Sequence, residues 1–102
     1  MSGYYVDKLF LSCKGVDFDR GLSESNELQG SMKKSMMTIA KTRYLLVDHS
    51  KFEANALMVF GRLEDIEEVI TDEDVDMSVL TRIQHLGVRG TTASNVKLTR
   101  WS

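Results

Sequence analysis

The sequence predicts an α/β fold, a mostly parallel sheet with helices on both faces. Short runs of consecutive apolar residues recur along the chain: Leu9-Phe10-Leu11, Tyr44-Leu45-Leu46-Val47, Ala56-Leu57-Met58-Val59-Phe60 and Val69-Ile70. Continuous rather than alternating apolar character marks strands covered on both faces, as parallel strands are. Helical or turn-like stretches separate these runs, and that alternation is the pattern of a parallel α/β sheet. The chain's 102 residues, 42% hydrophobic and 27% charged, suffice for one domain with a modest core.

Taken in order, Val6 to Cys13 reads as the first strand. It runs into Lys14-Gly15-Val16-Asp17, where Gly15 allows a turn or a close backbone approach. Residues 17–25, DFDRGLSES, read as a polar loop broken by Gly21. Asn26 and Gln29 have capping-box spacing, so a helix is expected over 27–42. Met32, Met36, Ile39 and Ala40 fall on one face of it as core, while Lys33, Lys34 and Lys41 lie mostly off that stripe.

Arg43 to Val47 is the second strand and ends in Asp48-His49-Ser50-Lys51. Ala56 to Phe60 is a third strand, closed by Gly61, and Leu63 to Ile66 has the look of one helical turn. Glu68 to Thr71 is a fourth strand, ending at Asp72. A short helix is expected over 76–86, with Met77, Leu80, Ile83 and Leu86 on one face and Gly87 as its stop signal. The end of the chain is compatible with one more strand. Met1-Ser2-Gly3 is consistent with an expression scar, which leaves 4–102 as the folded segment.

Several function classes are excluded by composition. Net charge is -2 and no basic stripe appears, so a whole-surface field for nucleic acid is not available. Cys13 stands alone, which rules out an internal disulfide and points to a reducing compartment; in its apolar run it reads as a small buried hydrophobe. Neither a membrane-length apolar stretch nor a signal-peptide core is present, so a soluble, cytoplasmic protein without membrane contact is expected. His49, His85 and Cys13 make no zinc pattern, and the acidic stretch from Glu64 to Asp76 does not follow a calcium loop. Phosphate-loop and dinucleotide motifs are absent. No metal and no cofactor is expected.

The polar strand ends at Lys14–Asp17, Asp48–Lys51 and Thr71–Asp72 would share one edge if their strands are parallel neighbours, and sites gather at that edge. Lys51 with Ser50 suits an anionic oxygen, and Asp48 suits sugar hydroxyls or the orientation of Lys51. An Asx-turn with a surface lysine is the plainer reading of the same residues. Asp17 and Asp48 would form an acid/base pair only if the fold brings them together, and His49 is either a proton shuttle or a loop histidine.

The ordered set GVD at 15–17, GLSESN at 21–26, DHSKF at 48–52 and ITD at 70–72 resembles the C-terminal part of the sugar-sensing domain of DeoR-family bacterial transcriptional regulators. The resemblance covers roughly residues 5–94. It implies a domain similar in fold to sugar-phosphate isomerases and CoA transferases, which binds a phosphorylated sugar or related metabolite without catalysis. Operator DNA would be bound only through a helix-turn-helix domain absent from this chain, in a regulator expected to be a repressor and a homo-oligomer.

By position, Gly15 and Asp17 match the family's GxD turn beside the effector. Asn26 matches the residue that opens the next helix, and Lys33 a lysine on that helix. Asp48, Ser50 and Lys51 match its D-x-S-K turn, which implies Lys51 as a phosphate or sugar-oxygen ligand and Asp17 and Asp48 as hydroxyl acceptors or orienters of Lys51. Lys33 is either a ligand or the partner of an acidic group. Gln29-Gly30-Ser31-Met32-Lys33 departs from the acidic pattern common in the family, and His49 stands where serine or threonine is common. A sugar-phosphate isomerase-like enzyme on the same fold, or an assembly module without a competent pocket, are the alternatives.

Overall fold

The computed structural model describes residues 6–52 and 54–93. Strand β1 (Val6–Leu11) leads into two short strands, β2 (Gly15–Asp17) and β3 (Gly21–Glu24), and then helix α1 (Glu27–Ile39). Strand β4 (Ala40–Leu46) follows the helix directly, then a 3₁₀ turn His49–Lys51, β5 (Met58–Gly61), a second 3₁₀ turn Leu63–Asp65 and β6 (Glu68–Asp72). Helix α2 (Met77–His85) and β7 (Arg89–Ala93) complete the described chain. The proposed scar at 1–3 lies outside the described residues.

Four strands form a parallel sheet in the order β1-β4-β6-β7, flanked by the helices. This is the expected α/β architecture. A second, antiparallel sheet, β2-β3-β5, was not expected. It takes up the run ending in Phe60, which therefore does not extend the parallel sheet. Leu22, Leu45, Leu63, Val69 and Ile83 are buried together, so one core joins both sheets.

Residues 17–25 are not simply a loop, because β3 lies within them with all four residues buried. Burial of its polar residues is tolerated because each is satisfied: the Ser23 hydroxyl donates to Gly15 O at 3.4 Å and accepts from Ala56 N at 3.0 Å. Gly21 has φ 110°, and a Cβ there would collide with the Gly61 carbonyl oxygen, so the β3–β5 approach requires glycine.

The first strand is not covered on both faces. It is a sheet edge, and Phe10 is 52% exposed, stacked on Tyr44 at 5.0 Å. The helix ends at Ile39 rather than at 42, since Ala40 already has extended backbone. Its inward stripe also differs from the hydrophobic reading. Gly30 and Met37 are buried, whereas Met32 is 54% exposed. Gly30 presses on Met58, leaving room for only a hydrogen there without adjustment. Lys33, one turn on from Gly30, therefore points inward.

Candidate functional site

Strands β1, β4 and β6 run parallel as neighbours, so the segments leaving them meet at one edge of the sheet. A cavity of about 270 Å³ opens there. Ser12, Cys13 and Lys14 contribute from the end of β1, and Leu46, Val47, Asp48 and Lys51 from the end of β4. Glu24, Ser25, Asn26, Gln29 and Lys33 contribute from the β3–α1 junction and the first turns of α1.

Asn26 is the N-cap of α1, and its Oδ1 accepts from Gln29 N at 2.8 Å. This cap sets the start of the helix and so places Lys33 on the cavity wall two turns later. Lys33 Nζ donates to the Glu24 carboxylate and to the Ser12 carbonyl oxygen. Their side chains are only 14% and 5% exposed. The other Glu24 oxygen accepts from Ser25 N at 3.1 Å. Burial works to raise the Glu24 pKa, but the bonds from Lys33 and Ser25 outweigh it and hold the carboxyl below its usual range.

The second lysine is held differently. Asp48 caps the 3₁₀ turn His49–Lys51, accepting from Ser50 N at 2.9 Å and from the Ser50 hydroxyl. Lys51 Nζ donates to its other oxygen at 3.2 Å. The Ser50 hydroxyl above all, with Lys51 further out, keeps the Asp48 carboxyl ionised below its usual range. Phe52 is buried and bridges Val16, which ties the end of the turn to β2.

His49 leans away from the cavity onto β6. Its backbone N–H donates to Asp72 Oδ2 at 3.0 Å, and its Nδ1 lies 3.0 Å from both Asp72 oxygens. Asp74 N also donates to Asp72 Oδ1 at 3.0 Å. The hydrogen bond to Asp72 raises the His49 pKa, helped by the charges of Asp72, Asp74 and Asp48. Among the described residues, His49, Asp72 and Asp74 are the one group whose potential metal-ligand atoms come within 4.8 Å of each other. Asp72 is already engaged by two backbone N–H groups and an imidazole, so the group is a satisfied hydrogen-bond cluster.

Of the residues singled out in the sequence, the cavity brings together Asn26, Lys33, Asp48 and Lys51. Gly15, Asp17 and Ser50 do not line it. The Asp17 carboxylate accepts from Asp19 N at 2.8 Å and Arg20 N at 2.9 Å, which holds the β2–β3 turn and keeps the carboxyl below its usual range. An Asp17–Asp48 acid/base pair at this cavity is therefore not formed. Gly15 sits where a Cβ would strike the Ala54 carbonyl oxygen and Ser23 Oγ. Ser50 acts through Asp48.

Cys13 lines the cavity, but burial pushes its thiol up to about 12, so it is a weak donor to Gly15 O at 3.3 Å rather than a nucleophile. Sequence reading passed over Glu24, Ser12 and the His49–Asp72 pairing. Glu24 and Lys33 are nine residues apart across a strand–helix junction, and His49 and Asp72 are twenty-three apart, spacings that no local rule connects.

Residues 1–73 match the family described as the DeoR C terminal sensor domain. The chain is 35% identical over 88 residues to the uncharacterized HTH-type transcriptional regulator YulB of Bacillus subtilis, covering 86% of this chain and 34% of that protein. It is 35% identical over 80 residues to the L-fucose operon activator of Haemophilus influenzae, covering 74% of this chain and 32% of that one. With the transcriptional repressor AccR of Agrobacterium fabrum it shares 36% identity over 70 residues, 68% of this chain and 27% of that one. The chain thus spans about a third of the length of these relatives. A match running from residue 1 through Glu73, and relatives at 35% identity over most of the chain, agree on one conclusion: the chain belongs to the DeoR family of transcriptional regulators, within its C-terminal sensor domain.

Proposed function

We propose that the cavity binds a phosphorylated sugar or related metabolite. Its occupancy shifts a conformational or assembly equilibrium in a cytoplasmic DNA-binding regulator of sugar metabolism. In this reading residues 4–102 are the C-terminal portion of the effector-binding domain. Operator DNA is contacted through a helix-turn-helix domain elsewhere in the regulator, and the assembly is a homo-oligomer. The observation that carries it is the convergence of Lys33 and Lys51, from two separate elements, on one cavity at the carboxyl edge of a parallel sheet. Lys14 joins them there, so three ammonium groups face two carboxylates, Glu24 and Asp48, and the lining favours an anion.

Lys51 is the direct ligand of the anionic group, and Asp48 either orients it or accepts sugar hydroxyls. Asn26 adds polar contacts at the α1 N-terminus, where the helix dipole also favours an anion. Gly15, Asp17 and Ser50 support the site from outside the lining. A second cavity, of about 520 Å³ between α1 and β5, is larger but less suited. The guanidinium of Arg43 there is taken up by the carbonyls of Met37, Ala40 and Asp65 at 2.8–3.0 Å. That an L-fucose operon activator is among the relatives supports a sugar-derived effector.

Thermal-shift screening of sugar phosphates, free sugars and plain phosphate on the intact regulator tests the reading, since a ligand of the folded state raises its stability. One sugar phosphate should stand out, and Lys51→Ala should weaken it by about tenfold, the loss of one charged hydrogen bond. An unchanged dissociation constant in that variant removes Lys51 from the site.

A further inference from the structure

We propose that His49 is a positioning residue: held on the buried Asp72, it pins the turn that presents Asp48 and Lys51 to the cavity, and its protonation tightens anion binding there. The inference rests on the reading of the cavity as an anion site.

The 3₁₀ turn His49–Lys51 is three residues long, too short to hold its own shape. It is anchored at its far end by Phe52, buried against β2. At its near end His49 binds one carboxylate twice, through its backbone N–H and through Nδ1, each at 3.0 Å. A double attachment fixes backbone and ring together. Asp48 and Lys51 are the neighbours of that fixed point along the chain, and both line the cavity. The anchor itself is buried: Asp72 is 2% exposed, ends β6, and receives a further bond from Asp74 N.

An ionised carboxylate only accepts, so Nδ1 carries a proton in either charge state of the ring. The neutral ring therefore keeps the attachment. Protonation turns this charge-assisted bond into an ion pair and adds a positive charge on a residue adjacent to the cavity-lining Asp48. The groups facing the ring are Asp72 on β6, Asp74 in the turn beyond it and Asp48 in its own turn, all acidic. They favour the protonated ring, so the gain in anion affinity is present at low pH and fades as pH rises through the His49 titration. By linkage, a bound anion must raise the His49 pKa in turn.

Sulfate is the suitable probe, because a phosphate monoester titrates near pH 6 itself. Its affinity for the intact regulator would be measured at about pH 5.5 and about pH 8.5, either side of the ordinary histidine range. The wild type, His49→Asn and His49→Ala would be compared, with the His49 pKa followed by NMR with and without sulfate. Asn places an N–H where Nδ1 was and does not titrate. The wild type should bind at least threefold more tightly at the lower pH, with a His49 pKa raised by sulfate.

His49→Asn should hold the high-pH wild-type affinity at both values. His49→Ala should bind more weakly at both, with faster amide exchange at Ser50 and Lys51. A pH response unchanged in His49→Asn overturns the proton linkage. Unaltered turn exchange in His49→Ala overturns the positioning role without touching the anion-site reading. Failure of the wild type to bind sulfate at either pH overturns that reading and the linkage with it, while the exchange result still decides the positioning role.

Discussion

Two lysine–carboxylate pairs face the same cavity, and they are built on opposite terms. Lys33–Glu24 joins a helix to a strand across nine residues and is almost wholly buried, with side chains 14% and 5% exposed. Lys51–Asp48 is a local pair three residues apart in a turn, with side chains 28% and 35% exposed. Identical chemistry therefore has different consequences. Removing one partner of the buried pair strands a charge largely withdrawn from water. Removing one partner of the exposed pair leaves a charge that water solvates, so its stability contribution is small. The buried pair holds the wall together, and the exposed pair is free to exchange its partner for a ligand.

Breaking the buried pair should have the largest effect. Lys33→Met leaves Glu24 unpaired and should destabilise the fold by about 3 kcal/mol in denaturant titration. The double variant Lys33→Met/Glu24→Leu should recover most of that loss. If the single and double variants were equally unstable, the pair would not be the source.

A pH series separates the Glu24 contribution from the His49 contribution by sign. The folded Glu24 pKa is depressed, so its contribution is full above the unfolded value near pH 4.3 and is lost as pH falls through the folded one. The folded His49 pKa is raised, so its contribution is full below the unfolded value near 6.5 and is lost as pH rises through the folded one. Stability of the wild type should thus sag at both ends. Glu24→Leu in the Lys33→Met background should lessen the acid-side loss, and His49→Asn should flatten the neutral-to-alkaline side.

Lys51→Ala should change stability by less than about 1 kcal/mol while still costing ligand affinity, the reverse of the Lys33 outcome. A large drop in its melting temperature would erase the contrast between the pairs. The smallest effect concerns Cys13 in the shared wall. With its thiol buried and pushed up to about 12, it should resist alkylation in the native protein and react only on unfolding. Labelling at the native rate of an exposed thiol would show that the wall opens.

Features controlled by neighbouring residues were legible before any coordinates. Asn26 capping α1, the turn at Leu63–Asp65, β6, and α2 with its stop at Gly87 are local events, set by caps and periodicity within a few residues. So was the Asp48-His49-Ser50-Lys51 turn, because an aspartate capping its own turn needs only the next three residues. The resemblance to the sensor family rested on the same short runs.

Illegible features depended on partners far along the chain. Strand β3 looked like a polar loop because Ser23 and Glu24 find their partners at Gly15, Ala56 and Lys33 only once the chain is folded. The inward stripe of α1 was misassigned to Met32 because hydrophobicity alone chose the face, whereas Gly30 packing on Met58 and the Lys33–Glu24 pair chose it in fact. By itself, then, the sequence determined the family, the α/β alternation and the lysine turn, all encoded within a few residues. Only the tertiary structure decided which charges are buried together. That outcome is set by desolvation and long-range pairing, and neither depends on spacing along the chain.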